Sequence, residues 1–389
     1  MITRSDFPRD FKELNSDLLA GVTVAIVALP LAIGFGITSG LSATSGIATA
    51  IVAGFIAALF GGSRFQISGP TGAMTVVLIP TIGKYGISVV PILGILAAAI
   101  LFLLAILRIG NLIAKVPKNV VEGFTVGIAL LIILQQLPFA LGVPRGEGER
   151  TVSSAINTVE DAVSSGLNWQ TIAVVTTTLL IKFNIVRILE KFHIKPYIPA
   201  SFLALIITSI LVIVLNLDVN RIGDIPRNVL EFAPPKLTDV AWIDLLFPAL
   251  TIALLAAIEA LLAARVADEM ARMPADKSFK PNQELLGQSV ATVASSFFGG
   301  MPSTGAIART SVNVRSHAHT RVSAMTHAVV LLLITIFFAP IFSQIPTAAI
   351  AGVLIGTSFR IFNRATMREI FSSRKSQIFV FLMTAGVTL

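Results

Sequence analysis

The sequence predicts an all-α polytopic membrane protein built as a seven-plus-seven inverted repeat. Three observations predict it. The 389 residues are 54% hydrophobic and only 13% charged, with a mean hydropathy of +0.85. Apolar segments follow one another along the whole chain, and the basic residues between them fall on one side of a membrane. A short phrase also occurs twice, in segments that run in opposite directions. Phe60-Gly61-Gly62 precedes Thr71-Gly72-Ala73, and Phe298-Gly299-Gly300 precedes Thr304-Gly305-Ala306.

Composition removes several classes at once. Soluble chains carry about a quarter charged residues, far more than this one. The net charge of +8 would suggest nucleic acid in a soluble protein, but here the basic residues belong to loops, so no nucleic-acid partner is expected. Cys is absent, which excludes disulfides, thiolate nucleophiles and Cys metal sites. Met1 to Asp17 is polar and amphipathic and lacks the apolar core of a signal peptide.

Apolar segments run over about 18–36, 44–60, 70–83, 88–107, 119–138, 170–189 and 199–216. A second series follows at about 243–266, 284–298, 304–314, 320–342, 346–361 and 376–389. Most approach the roughly 20 residues that span a bilayer. Those beginning at Pro70 and Thr304 are too short or too broken, and read as half-helices 3 and 10 preceded by short extended stretches. The first series has an odd number of segments, so the second starts on the opposite side. A second match supports the repeat: Pro117 is followed by Gly123 and Gly127, and Pro346 by Gly352 and Gly356, in segments five and twelve. The organisation expected is a cytoplasmic N-terminal segment (1–17), a first repeat (18–216) and a second (243–389). The chain stops at Leu389 inside an apolar run, so the fourteenth segment is expected to be missing.

Loop charges set the orientation. Arg4, Arg9 and Lys12 put the N-terminus inside. Arg108, Lys115 and Lys118 then fall inside, as do Lys182, Arg187, Lys191 and Lys195. So do Arg265, Arg272, Lys277 and Lys280, and finally Arg360, Arg364, Arg368, Arg374 and Lys375. The two long outside loops, about 140–169 and 217–242, carry Glu147, Glu149, Glu160, Asp161, Asp218, Asp224, Glu231 and Asp239. One parity satisfies every long loop.

Paired breaks in corresponding halves point to the binding site of a secondary transporter. In Ser68-Gly69-Pro70-Thr71-Gly72, Pro70 suits the first turn of a helix and the glycines allow close backbone approach. The helix from Pro70 runs outward, and the one from Pro302-Ser303-Thr304-Gly305-Ala306 runs inward. Two helix N-termini would thus face each other at mid-membrane, each with unpaired N–H groups and partial positive charge. Together they make an anion site that needs no metal and no cofactor. The plainer alternative is a pair of glycine kinks for helix packing.

Arg309 lies one turn into the second half-helix, where a charge must be paired or face water. It is expected to attract the anion, the alternative being an ion pair with Glu259. Glu259 is the only acid in the interior of its segment, Asp244 lying at the edge. It can carry a coupling proton, or serve as the fixed partner of Arg309 or of a backbone break. Gln135, Gln136, Ser295 and Ser296 read as helix–helix contacts, and Glu122 and His327 as groups near a membrane surface or bonded across helices. Tyr85 and Tyr197 suit interfacial anchoring. No metal-ligand spacing, Walker loop or nucleophile–base pair occurs, so neither an enzyme nor an ATP-driven pump is expected.

These residues resemble the sulfate permease (SulP) family, which includes prestin and pendrin. The stretch Asp17 to Ala25 through Leu29-Pro30 resembles its first helix, and Gly61-Gly62-Ser63-Arg64 with Ser68-Gly69-Pro70 the approach to its third. Glu122-Gly123-Phe124-Thr125 with Gln135-Gln136-Leu137 resembles its fifth. Asn282-Gln283-Glu284-Leu285, Pro302-Ser303-Thr304-Gly305 and Arg309-Thr310-Ser311-Val312-Asn313 resemble its ninth and tenth. The resemblance implies fourteen helices in a core domain (18–107 plus 243–342) and a gate domain (119–216 plus 346–389). It implies a site lined by Phe35 and Gly69, Pro70, Thr71 and Gly72, with Thr304, Gly305, Ala306, Ala308 and Arg309 opposite. The sequence departs from the family at Leu31, where many relatives have Gln, and at Ala308, where Ser is common. Gly46-Ile47 replaces a glycyl-leucyl-tyrosine phrase, and the usual cytoplasmic STAS domain is expected to be absent.

The expectation is a secondary active anion transporter of the bacterial inner membrane, a homodimer embedded in the lipid bilayer. It would take up sulfate, bicarbonate or a C4-dicarboxylate such as fumarate with a proton, by elevator-like alternating access. An anion channel or electromechanical relative, or a nucleobase permease, would share the scaffold. Arg309 argues against the last.

Overall fold

The structure, a computed structural model, describes residues 6–148, 150–193, 199–236, 240–361, 364–372 and 375–388. Arg4, Glu149, Lys195, Tyr197, Asp239, Arg374 and Leu389 lie outside the described residues. The chain opens with α1 (Phe11–Thr38) and α2 (Ala43–Phe60), then a two-residue strand β1 (Ser68–Gly69) and the half-helix α3 (Gly72–Tyr85). There follow α4 (Val90–Ile106), α5 (Gly110–Ile113), α6 (Lys118–Gln135), α7 (Leu137–Leu141), α8 (Thr151–Ser165), α9 (Trp169–Lys191) and α10 (Ala200–Val214). The second half holds α11 (Trp242–Ala271), α12 (Pro281–Phe297), strand β2 (Thr304–Gly305) and the half-helix α13 (Ile307–Arg315). It closes with α14 (Val322–Phe342), α15 (Thr347–Ile361), α16 (Arg364–Phe371) and α17 (Lys375–Thr388).

Seven of these helices are long and apolar enough to cross a membrane, among the described residues. The protein is therefore a multi-pass, all-α membrane protein. Two compact units are present. The first comprises Met1–Lys115 and Ile225–Ala339, and the second Val116–Asp224 and Pro340–Leu389. In the first unit α12 packs on α4 and α2, and α11 on α4 and α13. Small residues set these contacts: a side chain at Gly287 would collide with the Gly61 backbone, and one at Gly94 with Ser296. Ser296 thus serves helix packing, as its sequence suggests. In the second unit α17 lies on α6, and α15 on α9 and α6.

Several boundaries differ from the sequence expectation, each for a local reason. α1 begins at Phe11 rather than at about residue 18, because Asp10 caps it, accepting from the Glu13 N–H at 2.8 Å. The Glu13 carboxylate accepts from the Arg9 N–H at 2.8 Å in return, a reciprocal cap that hydropathy does not register. The buried Asp17 carboxylate accepts from the N–H groups of His319 and Thr320 and from the Thr320 hydroxyl, tying α1 to the start of α14. The loop over 140–169 contains a helix, α8, and the basic stretch before α17 contains α16. Lys182 is not a loop residue: it is buried within α9, donating at 2.6 Å to the Val353 carbonyl and to the Thr357 hydroxyl of α15.

The half-helices start later than expected. Pro70 is not in a first turn, because Thr71 is the N-cap of α3, with extended φ −135 and ψ 162. Thr304 and Gly305 form β2, and α13 begins only at Ile307.

Candidate functional site

The site sits within the first unit, where the two chain breaks meet. In a bilayer every backbone polar group needs a partner, so irregular chain survives only where protein or water satisfies it. Here the breaks satisfy each other. β1 and β2 pair antiparallel, with Ser68 opposite Gly305 and Gly69 opposite Thr304. The Ala306 N–H donates to the Ile67 carbonyl at 2.9 Å, and the Ile67 N–H to the Thr310 hydroxyl at 3.0 Å. A side chain at Gly305 would collide with the Gln66 amide, which would have to leave its bond to Glu284.

Because the strands are antiparallel, the helices that follow them leave in opposite directions. Neither start is capped by a side chain: Thr71 and Ala306 are the N-caps and neither gives a side-chain cap bond. The Thr71 hydroxyl instead donates to the Glu259 carboxylate of α11 at 2.8 Å. The first-turn N–H groups of α3 and α13 therefore keep their capacity for an anion.

Arg309 is 1% exposed. One guanidinium nitrogen, Nη2, donates to the Pro70 carbonyl at 2.6 Å. The other, Nη1, is buried without a hydrogen-bond partner, and it lies where a Cβ on Gly69 would stand 2.7 Å away. Gly69 has φ +152, which lets the chain pass this close. A buried cation with a donor left over is a strong attractor for negative charge. Arg309 and Glu259 are within electrostatic range of each other. Their hydrogen-bond partners differ, however: the Pro70 carbonyl for Arg309 and Thr71 for Glu259. The Thr304 hydroxyl donates to the Ala256 carbonyl, one turn before Glu259, at 2.9 Å.

The structure thus gathers Gly69, Pro70, Thr71, Gly72, Thr304, Gly305, Ala306 and Arg309 in one cluster, with Glu259 joined through Thr71. Ala308 is the exposed residue of the first turn of α13. Phe35 is buried near the end of α1, a helix that packs on both α3 and α13. Among the described residues no group of His, Asp or Glu is placed to hold a metal.

Sequence reasoning missed the frame that holds this cluster. Glu284 of α12, 1% exposed, accepts from the N–H groups of Gly62 and Ser63 at 2.8 and 2.9 Å. Its other oxygen accepts from the Gln66 and Gln288 amides at 2.8 and 2.9 Å, and Gln288 donates also to the Ser68 hydroxyl at 2.7 Å. On the opposite break, the Met301 N–H donates to Thr49 of α2 at 2.8 Å. The signal for Glu284 in the sequence is that it is the one charged residue of α12, placed in its first turn. His327 also departs from expectation. It is fully buried in α14, beside Gly54, and neither ring nitrogen has a hydrogen-bond partner.

The family follows from comparison with known sequences. Residues 14–384 match the model of the sulfate permease family. The chain belongs to that family. YvdB of Bacillus subtilis (strain 168) is 34% identical over 385 residues, 98% of this chain and 71% of that protein. Bicarbonate transporter BicA of Picosynechococcus sp. (strain ATCC 27264 / PCC 7002 / PR-6) is 31% identical over 357 residues, 88% of this chain and 61% of that one. The solved transmembrane domain of a cyanobacterium bicarbonate transporter BicA superposes with a TM-score of 0.85 at 28% identity, covering 97% of this chain and 96% of that domain. The fold is that of a transporter membrane domain, and the chain belongs with transporters rather than enzymes.

Proposed function

We propose that this sulfate permease family member moves a small anion across the membrane by binding it between the starts of α3 and α13. One observation carries the reading. Arg309 is buried with a free donor at the point where two uncapped helix starts leave the β1–β2 pair. Two partial positive charges and one full charge then act on the same small volume, and no carboxylate neutralises them by direct contact. The ligand that fits is a compact oxyanion such as sulfate or bicarbonate, or one carboxylate of a C4-dicarboxylate. The name of the BicA relative supports bicarbonate, and that of the family sulfate.

Glu259 is the coupling group in this reading. Its proton would change the bond that Thr71 gives it, and Thr71 is the N-cap of α3, so protonation and anion binding act on the same helix start. Uptake of an anion against a negative-inside potential needs such a partner. All of these residues belong to one unit, which suits an elevator-like step in which the site travels as a body. A location in the bacterial inner membrane with the N-terminus inside, the seven-plus-seven inverted repeat and a homodimer complete the proposal.

Proteoliposome uptake of labelled sulfate, bicarbonate and fumarate, with and without an inward proton gradient, tests it. The expected result is saturable, concentrative uptake that Arg309→Ala weakens at least tenfold in affinity while the protein still folds. Linear, non-concentrative flux would favour a channel on the same scaffold. Unchanged kinetics in Arg309→Ala would remove this residue from the site.

A further inference from the structure

α8 carries three distinct faces. Ser154, Ala155, Thr158 and Ala162 are buried, and α8 packs on α6 and α7 within the second unit. Val152, Ile156, Val159 and Val163 are 39%, 54%, 41% and 71% exposed, and their spacing places them on one stripe of the helix. Glu160, Asp161 and Ser164 form the third face and are exposed. The rotation of the helix is fixed, because its buried face is pinned to the preceding loop. The Arg145 guanidinium donates to Ser154 at 2.9 Å, the Gly146 N–H to Thr158 at 2.9 Å, and the Ser154 hydroxyl to the Gly146 carbonyl at 2.7 Å.

The chain on either side restricts where α8 lies. It sits between two spans, Asn119–Leu141 and Trp169–Lys191. Gly166, Leu167 and Asn168 alone separate it from the second of them, whose first residue, Trp169, is 70% exposed. An exposed Trp at the end of a span is an anchor at the headgroup level. A helix tethered there, with protein on one side, apolar residues on the next and acids on the third, has the faces of an interfacial helix. We propose that α8 lies in the membrane–water interface at the ends of α7 and α9. In that position its Val152–Ile156–Val159–Val163 stripe rests in the boundary between lipid headgroups and acyl chains, and Glu160 and Asp161 face water. The inference does not depend on the transported anion.

The absence of Cys makes the test direct. Ile156→Cys, Val163→Cys and Asp161→Cys, each carrying a nitroxide, are placed one at a time in the full chain in phosphatidylcholine nanodiscs. Power-saturation measurements then compare collisions with oxygen and with a water-soluble nickel chelate. The expected oxygen-to-nickel ratio is several-fold higher at 156 and 163 than at 161, and Val159→Cys serves as the stripe reporter if either fails to reconstitute. Equal ratios at all positions overturn the proposal. So does low access to both reagents on the stripe with dipolar coupling between labels, which would assign the stripe to a second copy of the chain.

Discussion

Gly69→Ala tests whether the aim of Arg309 sets anion affinity. A Cβ at this position stands 2.7 Å from Arg309 Nη1 and 3.3 Å from the Ala50 Cα. Ordinary contact needs about 3.5 Å, so the guanidinium must retreat by about 0.8 Å. Its 2.6 Å bond to the Pro70 carbonyl would stretch past the roughly 3.2 Å limit of a good hydrogen bond. A hydrogen bond of a charged group contributes about 1.5–3 kcal/mol, and φ +152 adds local strain for a residue with a Cβ, of order 1–3 kcal/mol. The control is Gly86→Ala, which meets the same kind of strain (φ +82) with nothing within 4 Å. Initial uptake rates against anion concentration, with thermal unfolding in detergent, separate the two effects. Both variants should lose stability, and only Gly69→Ala should raise KM, by about tenfold for each 1.4 kcal/mol lost. An unchanged KM in Gly69→Ala, or an equal rise in Gly86→Ala, would refute the reasoning.

Two further outcomes follow from the same geometry. Glu259→Gln keeps a group that can accept from Thr71 but cannot cycle a proton, so uptake should persist down the anion gradient and lose its response to an imposed pH gradient; a wild-type response removes Glu259 from coupling. Glu284→Ala strands the N–H groups of Gly62 and Ser63 and the Gln66 amide inside the protein, and should cost about 1–3 kcal/mol for each donor that finds no new partner, read as a large fall in thermal stability.

The helices were legible because a membrane demands long apolar runs, and apart from the start of α1 and the end of α11 the predicted segments match the observed ones within a few residues. The convergence of the two breaks was legible because the phrase repeats, and Arg309 stood out as a charge in apolar surroundings. What hydropathy cannot show is where polar residues join a helix through capping, as Asp10 and Glu13 do for α1. Nor does it register α8, whose six apolar residues are spread among polar ones and never form a run longer than two. Lys182 was misplaced for a related reason. Charge counting assigns a lysine to a loop, whereas its long side chain here reaches the Val353 carbonyl inside the unit. Glu284 needed tertiary contact to gain a role, since its partners other than Gln288 lie more than two hundred residues away in sequence.

The pairing of Ser68 with Gly305 has a consequence for biosynthesis. The second strand leaves the ribosome more than two hundred residues after the first, a delay of roughly 10–50 s at about 5–20 residues per second. During that interval the Gly61–Thr71 stretch has neither its strand partner nor the Glu284 carboxylate, although its helices are already available for insertion. Exposed backbone donors of that kind are not tolerated in hydrocarbon. The first break must therefore wait at an aqueous or protein-lined surface, and it becomes a membrane-embedded element only when the second half arrives to complete it.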